Sequence, residues 1–302
     1  GTDHGFFVST NDGAQFTAST GLTTGTQQTQ VFTGVRDTAT GNYYVGTDKG
    51  VFVSTDNATS FTPTNLNNVA VLSLAVDTST TPSTLYAGTY GNGVVASTDG
   101  FDQNLTFGEA APDSNYNYVA IDDITTNPAT VYVGTGDSRA IGTVWRSQDA
   151  GHSYTQLDPA NFNQPCCIFP LAVNAGEIFA GNYLEADAFL GQMDPTGAVL
   201  FQSATLGGAN HDRAQGIAVD SADNAYVDGL TYSSDYPVVT QEQARIGGGN
   251  GEVNAFVTNV GYTSGVKLQV TKVIYFATQI LRTSCRPSIV TITNTSKPQT
   301  VA

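Results

Sequence analysis

The strongest constraint on the fold is a short phrase that recurs four times in the first half of the chain. The copies read VSTNDGAQF (8–16), VSTDNATSF (53–61), ASTDG…LTF (96–107) and RSQDAGHSY (146–154). Their serines are Ser9, Ser54, Ser97 and Ser147, so successive copies begin 45, 43 and 50 residues apart. A regular period of this length indicates one supersecondary unit repeated along the chain.

Two further strand-like segments precede each later copy of the phrase. The nearer segments read NYYVGT, TLYAGT and TVYVGT, and the farther ones lie in TQVFTGVRD, VLSLAVDTSTTPS and NYVAIDDITTNPA. With the strand that follows the phrase, each unit contains four strands rich in β-branched and aromatic residues. Four antiparallel strands at a period of ~40–50 residues are typical of a β-propeller blade. The sequence therefore predicts an all-β chain folded as one propeller domain over residues 1–302.

The recurring phrase resembles the Asp-box, Ser-x-Asp-x-Gly-x-Ser/Thr-aromatic, of sialidases, sortilin-type receptors and photosystem-assembly propellers. The resemblance covers residues 1–160, and only SQDAGHSY matches throughout, because Asn11 replaces the Asp, Ala58 replaces the Gly and the third copy has an insertion after Gly100. It implies a structural motif on the outer rim of the propeller, and its residues are Ser9, Asn11, Gly13, Phe16, Ser54, Asp56, Phe61, Ser97, Asp99, Phe107, Ser147, Asp149, Gly151 and Tyr154.

The chemistry of these residue types suits a hairpin turn. A short carboxylate accepts backbone N–H bonds within the turn, and glycine adopts the positive φ that the turn requires. We expect the aromatic residue to fill the gap between neighbouring blades.

The second half of the chain changes its repeat. The segment 186–239 resembles the SBBP-type β-propeller repeat of exported bacterial proteins, which pairs DAFV.K.DP.G with LGG…D…GIAVD..GNAYV.G.T.S.DFP. A poorer copy begins at NAFVTNVGYTSG (254–265), so the resemblance covers about 186–280. It implies the same architecture, with blades of this type over 166–280.

The end of the chain matches the part of a blade that the beginning lacks. SIVTITNTSKPQTVA (288–302) corresponds to a first strand, a turn and the start of a second strand, and GTDHGFFVST (1–10) continues that blade. We therefore expect residues 288–302 to complete the sheet that residues 1–18 begin. The strands come either from the same chain, which closes the ring, or from a neighbouring subunit in a head-to-tail polymer.

This split blade gives a count of six. The other five units cover 30–66, 67–110, 115–160, 166–206 and 212–280, and a seventh blade would have to lie within 240–285.

Composition limits the partners. Lys and Arg total 11 against 26 Asp and Glu, and the net charge of −15 without a basic cluster excludes nucleic acid. No apolar run approaches the ~20 residues that span a bilayer. Without an initiator Met or signal-peptide pattern, we expect an exported, processed chain, extracellular or at the cell surface, whose partners are copies of itself, other surface proteins or glycans.

Candidate catalytic groups are few. A sialidase needs a cluster of arginines, and no phrase around the seven arginines marks one. Asp122 with Asp123, and Asp220 with Asp223, are candidate carboxylate pairs for glycoside hydrolysis, but such residues commonly bond their own turns. We predict a structural or interaction propeller without a catalytic centre, and the alternative is a carbohydrate-binding or glycoside-hydrolase-like propeller.

The remaining motifs concern metals, thiols and glycans. His4, His152 and His211 are isolated and no calcium loop is recognisable, so we predict no metal and no cofactor. Cys166 or Cys167 pairs with Cys285 in an oxidising compartment, or all three remain buried thiols. Acceptor sequences for N-linked glycans occur at Asn57, Asn104 and Asn294.

Overall fold

The computed structural model of the chain describes residues 1–11, 13–24, 27–103, 105–108, 115–122, 128–137, 140–157, 167–183, 188–198, 200–220, 223–236, 253–261 and 269–276. Within these ranges the regular secondary structure consists of β-strands.

Five four-stranded antiparallel sheets follow one another along the chain, each with consecutive strands as neighbours. The first sheet contains β5 (Val31–Arg36), β6 (Tyr43–Thr47), β7 (Gly50–Ser54) and β8 (Thr62–Asn67). The second contains β9 (Val71–Asp77), β10 (Thr84–Thr89), β11 (Val94–Ser97) and β12 (Leu105–Gly108). The third contains β13 (Tyr116–Asp122), β14 (Thr130–Asp137), β15 (Ala140–Ser147) and β16 (Thr155–Gln156).

The fourth sheet contains β17 (Cys167–Asn174), β18 (Glu177–Tyr183), β19 (Ala188–Met193) and β20 (Leu200–Leu206). The fifth contains β21 (Asp212–Val219), β22 (Ala225–Thr231), β23 (Asn254–Gly261) and β24 (Gln269–Phe276). Before the first sheet, β1 (Phe7–Val8) pairs with β2 (Thr17–Ala18), and β3 (Thr23–Thr24) pairs with β4 (Gln27–Gln28). We call residues 1–18 the N-terminal half-sheet.

The predicted fold class is confirmed: the described structure is all-β and built of antiparallel four-stranded sheets. Each of the five ranges predicted for a complete blade corresponds to one such sheet, and only β8 runs past its range, to Asn67 instead of 66. The number of blades and the single domain stay predictions, because residues 237–252 and 277–302 lie outside the described part of the chain.

The first strands of successive sheets contact one another in the order β5, β9, β13, β17 and β21. Strands β9, β13 and β17 therefore each contact the first strands of both neighbouring sheets. This is how the innermost strands of propeller blades are arranged around a central axis.

The hydrophobic core lies between the sheets. One cluster joins Tyr44 and Val51 of the first sheet to Leu74 and Leu85 of the second, and the other clusters join the later neighbours in the same way. Burial of apolar side chains, at ~25 cal/mol per Å² removed from water, is what holds one sheet against the next.

A glycine near the end of the second strand brings adjacent sheets close together. A Cβ on Gly88 would lie 2.3 Å from the carbonyl oxygen of Asn117, in the first strand of the third sheet. A Cβ on Gly134 would lie 2.3 Å from the carbonyl oxygen of Ile168 in the fourth sheet. The repeated Gly-Thr pair is thus explained by backbone packing, since any side chain there would force the sheets apart.

Candidate functional site

The turn between the third and fourth strands has the same hydrogen bonds in all four copies of the phrase. The serine Oγ donates to the Oδ1 two residues later, at 2.9, 2.7, 2.8 and 2.7 Å for Ser9–Asn11, Ser54–Asp56, Ser97–Asp99 and Ser147–Asp149. The same Oγ accepts the backbone N–H four residues on, at 2.8–2.9 Å. The Asp or Asn side chain accepts a further backbone N–H, from Gln15, Ser60, Gln103 and Ser153. These side chains therefore close the turn.

Hydrogen bonds lower the pKa of two carboxylates in these turns, Asp56 and Asp149. Hydrogen bonds from the Ser60 hydroxyl, the Ser60 backbone and Ser54 lower the pKa of Asp56 to about 2. Ser153 and Ser147 do the same for Asp149, whose pKa is also about 2. A carboxylate that accepts several hydrogen bonds is a poor proton donor near neutral pH, so these groups serve structure.

The departures from the phrase leave the backbone of the turn unchanged. Gly13 and Gly151 have φ values of 83° and 86°, and Ala58 and Phe101 stand at the same position with 61° and 65°. A non-glycine residue at positive φ is strained and persists where surrounding bonds fix it. The bond to the serine Oγ supplies that constraint for Ala58, at 2.9 Å.

The turns of the second and third sheets each cover a tyrosine in the second strand of the preceding sheet. The ring of Phe101 meets Tyr44 edge-on, with 6.4 Å between centroids. A Cβ on Gly151 would lie 3.4 Å from Cε1 of Tyr86, which is fully buried. In the fourth sheet, the turn after β19 takes this place, and its Pro195 carbonyl accepts a 3.5 Å bond from Tyr132.

The four aromatic residues expected between blades have different outcomes. Phe61 is buried, with its centroid 5.5 Å from that of Phe6, and Tyr154 packs in the cluster that contains Tyr86. Phe107 lies in β12 opposite Val95, and Phe101, at the turn before β12, is buried in the cluster that contains Tyr44. Phe16 differs from the expectation, because its ring is 62% exposed.

The N-terminal half-sheet repeats the outer half of a complete sheet. Thr2 Oγ1 donates to the Gly5 carbonyl at 3.0 Å, as Thr47 Oγ1 donates to the Gly50 carbonyl at 2.8 Å. In the first sheet this turn joins the second strand to the third. By this correspondence β1 and β2 occupy the positions of a third and a fourth strand.

Gly1 also occupies a position known from the complete sheets. A Cβ on Gly1 would lie 2.6 Å from the Val31 carbonyl oxygen, as one on Gly46 would lie 2.9 Å from the Val71 carbonyl oxygen. Gly1 and Thr2 thus stand where a second strand ends. In the described part of the chain β1 pairs with β2 alone, and its other edge is where a second strand pairs in the complete sheets.

Phe6 and Val8 of the half-sheet pack against the hydrophobic cluster of the first sheet, but part of β5 on this side is exposed. Phe32 is 47% exposed on β5, and Gly34 and Arg36, on the same face, are also exposed. At the matching positions of β9, Leu74 is buried and Val76 partly buried against the first sheet. This open face of β5 and the free edge of β1 together form the candidate functional site.

Acidic residues at the ends of first strands bind the next sheet. Asp77 Oδ2 accepts the Ala129 N–H at 3.0 Å, and Asp37 Oδ1 accepts the Ser83 hydroxyl at 3.0 Å. Burial raises the pKa of Asp37, but hydrogen bonds from Thr40, Ala39 and Ser83 outweigh it and leave the pKa below its ordinary value.

The predicted carboxylate pairs are used in the same way. Asp223 Oδ1 accepts the Asn174 side-chain amide of the fourth sheet at 2.6 Å, and Asp220 accepts the Asn224 backbone N–H at 3.0 Å. Asp122 is buried at the end of β13, and Asp123 lies outside the described residues. Asp223 thus bonds a neighbouring sheet as Asp77 does, whereas Asp220 bonds its own turn.

The loop before the fifth sheet brings together residues of the SBBP-like pattern. Asp212 Oδ2 accepts the Gly208 N–H and the Ser233 hydroxyl, each at 2.8 Å, and Asp235 Oδ1 accepts the Ala209 N–H at 2.9 Å. These bonds join the loop to the chain that follows β22. Within the described ranges no group of three or more His, Cys, Asp or Glu side chains is placed to hold a metal ion.

One exposed aromatic pair lies between the second and third sheets. Tyr90 follows β10 and is 46% exposed, and its ring meets Tyr116 edge-on with 5.1 Å between centroids. Sequence reasoning missed this pair, because the two tyrosines belong to different units and only the fold brings them together.

The other predicted residues are separate from one another. His4, His152 and His211 are exposed, and His4 Nδ1 lies 2.6 Å from Asp3 Oδ1. Asn57 is exposed in its turn and Cys167 begins β17, whereas Cys166, Cys285, Asn104 and Asn294 lie outside the described residues. The disulfide and the glycans stay predictions. The described part of the chain contains no helix long and apolar enough to cross a membrane.

No protein-family model and no curated protein matches the chain. Similar solved structures include an ancestral GH74 enzyme, with a TM-score of 0.59 and 16% identity over 92% of this chain and 36% of that one. Another is the extracellular domain of a putative one-component system from B. thetaiotaomicron, with a TM-score of 0.53 and 16% identity over 89% of this chain and 30% of that one. The chain thus spans about a third of the length of these two.

A third similar structure belongs to a COPII outer coat vertex on membranes, with a TM-score of 0.52 and 7% identity over 78% of this chain and 59% of that one. At these identities the likeness is one of fold. It agrees with the β-propeller class that the repeat predicts.

Proposed function

We propose that this chain is an extracellular, non-catalytic β-propeller that assembles head to tail with copies of itself. Residues 288–302 of one copy supply the inner two strands of the sheet whose outer two strands are residues 1–18 of the next copy. The observation that carries the proposal is the N-terminal half-sheet, in which Gly1 and Thr2 take the place of the end of a second strand.

The sequence of residues 288–302 suits this position. Its turn NTSKP (294–298) resembles DTSTTP (77–82) of the second sheet with one residue fewer, so that Asn294 matches Asp77 and Pro298 matches Pro82. Asp77 accepts a buried backbone N–H of the next sheet, and the amide oxygen of Asn294 accepts the same kind of bond. An N-linked glycan on Asn294 is incompatible with this arrangement.

The added strands would make two contacts with the next copy, one by pairing with β1 and one by packing on β5. The free edge of β1 presents N–H and C=O groups that an added strand pairs with, and the open face of β5 presents Phe32 for the side chains of that strand. Because the contact joins the beginning of one copy to the end of another, it is heterologous and need not close into a ring. The extracellular domain among the similar structures and the net charge of −15 fit an exported chain.

The mass of the purified chain in solution tests this proposal. We expect light scattering to give a mass that grows with concentration, and Ile292→Pro to give monomers, since proline removes a ladder donor from the added strand. Lys297→Ala, in the turn of the same segment, is the matched control and should assemble. A full chain that is monomeric at every concentration would overturn the proposal. If Ile292→Pro lowers the melting temperature of that monomer, residues 288–302 complete the sheet within one chain.

A second candidate function is carbohydrate binding, and the exposed Tyr90–Tyr116 pair favours it. Sugar rings stack their apolar faces on aromatic side chains, so Tyr90→Ala should abolish binding on a glycan array. Phe201→Ala removes an aromatic ring of similar exposure elsewhere and is the control. An array without any bound glycan would exclude this second function.

A further inference from the structure

Every complete sheet has an aromatic residue at the same position near the start of its second strand. Four of these rings are buried, and the fifth is not. The exposed fractions are 5% for Tyr44, 0% for Tyr86, 2% for Tyr132, 1% for Phe179 and 41% for Tyr226. Tyr226 therefore stands at a position at which the first four sheets bury a ring.

The burial of the first three rings has a common cause. Each lies under the turn that joins the third and fourth strands of the next sheet, as Tyr44 does under Phe101 and Tyr86 under Gly151. Tyr226 is in the fifth sheet, and the sheet that follows it in the repeat is the one to which the N-terminal half-sheet belongs.

The half-sheet contains a turn of the same kind, residues 9–16. The aromatic ring of this turn, Phe16, is exposed as well. Ser9 bonds the Gly13 N–H at 2.8 Å, and Gly13 has a φ of 83°, close to the 86° of Gly151. Phe16, which matches the buried Phe61, is 62% exposed. Among the described residues, the Tyr226 ring and the Phe16 ring of turn 9–16 are thus both exposed.

We propose that the exposed face of Tyr226 binds turn 9–16 of a second copy of the chain. The contact rests on the proposed function, because strands 288–302 follow the fifth sheet and hold the next copy's half-sheet beside it. Gly13 then approaches the Tyr226 ring as Gly151 approaches Tyr86, and Phe16 is covered at the same interface. The partner is a second copy because the proposed strand complementation places the half-sheet of the next copy, rather than that of the same chain, beside the fifth sheet.

Mixing two labelled variants tests this contact. In a background in which Cys166, Cys167 and Cys285 are replaced by Ser, one population carries Gln15→Cys in the turn and the other carries Asp228→Cys, two residues from Tyr226 on the same face of β22, so that Gly13 and the Tyr226 ring stay in place. A short bismaleimide should cross-link two chains in the mixture and in neither population alone, since the contact joins different surfaces. A cross-link within single chains of the double variant at high dilution would overturn the second copy as partner.

A measurement of association strength supports the cross-linking. Tyr226→Ala should weaken association at least about tenfold, because buried aromatic residues dominate interface energies, and Phe201→Ala should leave it unchanged. Chains that associate normally with Tyr226→Ala and do not cross-link would overturn this contact and leave strand complementation standing. Chains that do not associate at all would overturn both.

Discussion

Substitution of Tyr86 measures how strongly one sheet is held by the turn of the next. The side chain is fully buried in a cluster with Val119 and Val131 of the third sheet, and removing a buried aromatic ring costs about 3–5 kcal/mol. Among the described residues, Tyr86 Oη is buried and has no hydrogen-bond partner. Tyr86→Phe removes this unsatisfied group, which costs about 1–3 kcal/mol where it stays buried. We therefore expect Tyr86→Ala to be strongly destabilising and Tyr86→Phe to be neutral or stabilising.

Calorimetry of the dilute, unassembled chain measures both effects. With 302 residues and an unfolding entropy of about 2.1 cal/mol/K per residue, a loss of about 4 kcal/mol lowers the melting temperature by about 6 °C. Tyr226→Ala makes the same chemical change at an exposed ring and should alter the unfolding free energy by less than about 0.5 kcal/mol. Equal losses for the two alanine variants, or a loss above about 2 kcal/mol for Tyr86→Phe, would refute the packing described here.

Three further outcomes follow from contacts between and within sheets. Gly88→Ala puts a Cβ 2.3 Å from a backbone carbonyl and should cost more than about 3 kcal/mol in urea unfolding, whereas Gly34→Ala, with contacts of 3.5 Å, should cost less than about 1 kcal/mol. Asp77→Ala leaves the buried Ala129 N–H without its acceptor and should cost about 1–3 kcal/mol; hydrogen exchange at that amide should become faster. The pKa of Asp149 is lowered from 3.8 to about 2, so the stability that its carboxylate gives the fold is complete above about pH 4 and is lost as the pH falls through about 2. Asp149→Asn should flatten this part of the curve of unfolding free energy against pH. An unchanged curve would contradict the turn geometry.

The parts of the fold that local sequence determines could be predicted. Four strands per unit follow from the period of Ser9, Ser54, Ser97 and Ser147, since each serine closes its turn with neighbours within six residues. The replacement of the turn glycine by Phe101 could not be interpreted, because its ring packs on a tyrosine of another unit.

Contacts between units were beyond prediction for a general reason. Asp77 reads as a turn residue in the sequence, yet its Oδ2 bonds an amide 52 residues away, and only the stacking of sheets brings the two together. The Tyr90–Tyr116 pair and the open face of β5 arise in the same way. The half-sheet was predictable because GTDHG and GTDKG are nearly identical and form the same turn.

Electron microscopy of the assembled chain, at a resolution that traces strands, tests strand complementation most directly. The account predicts that residues 288–302 of one copy form two strands beside β1 of the next, with Ile292 in the innermost strand. A map in which the free edge of β1 has no added strand, or in which residues 288–302 lie away from every copy of residues 1–18, would contradict it.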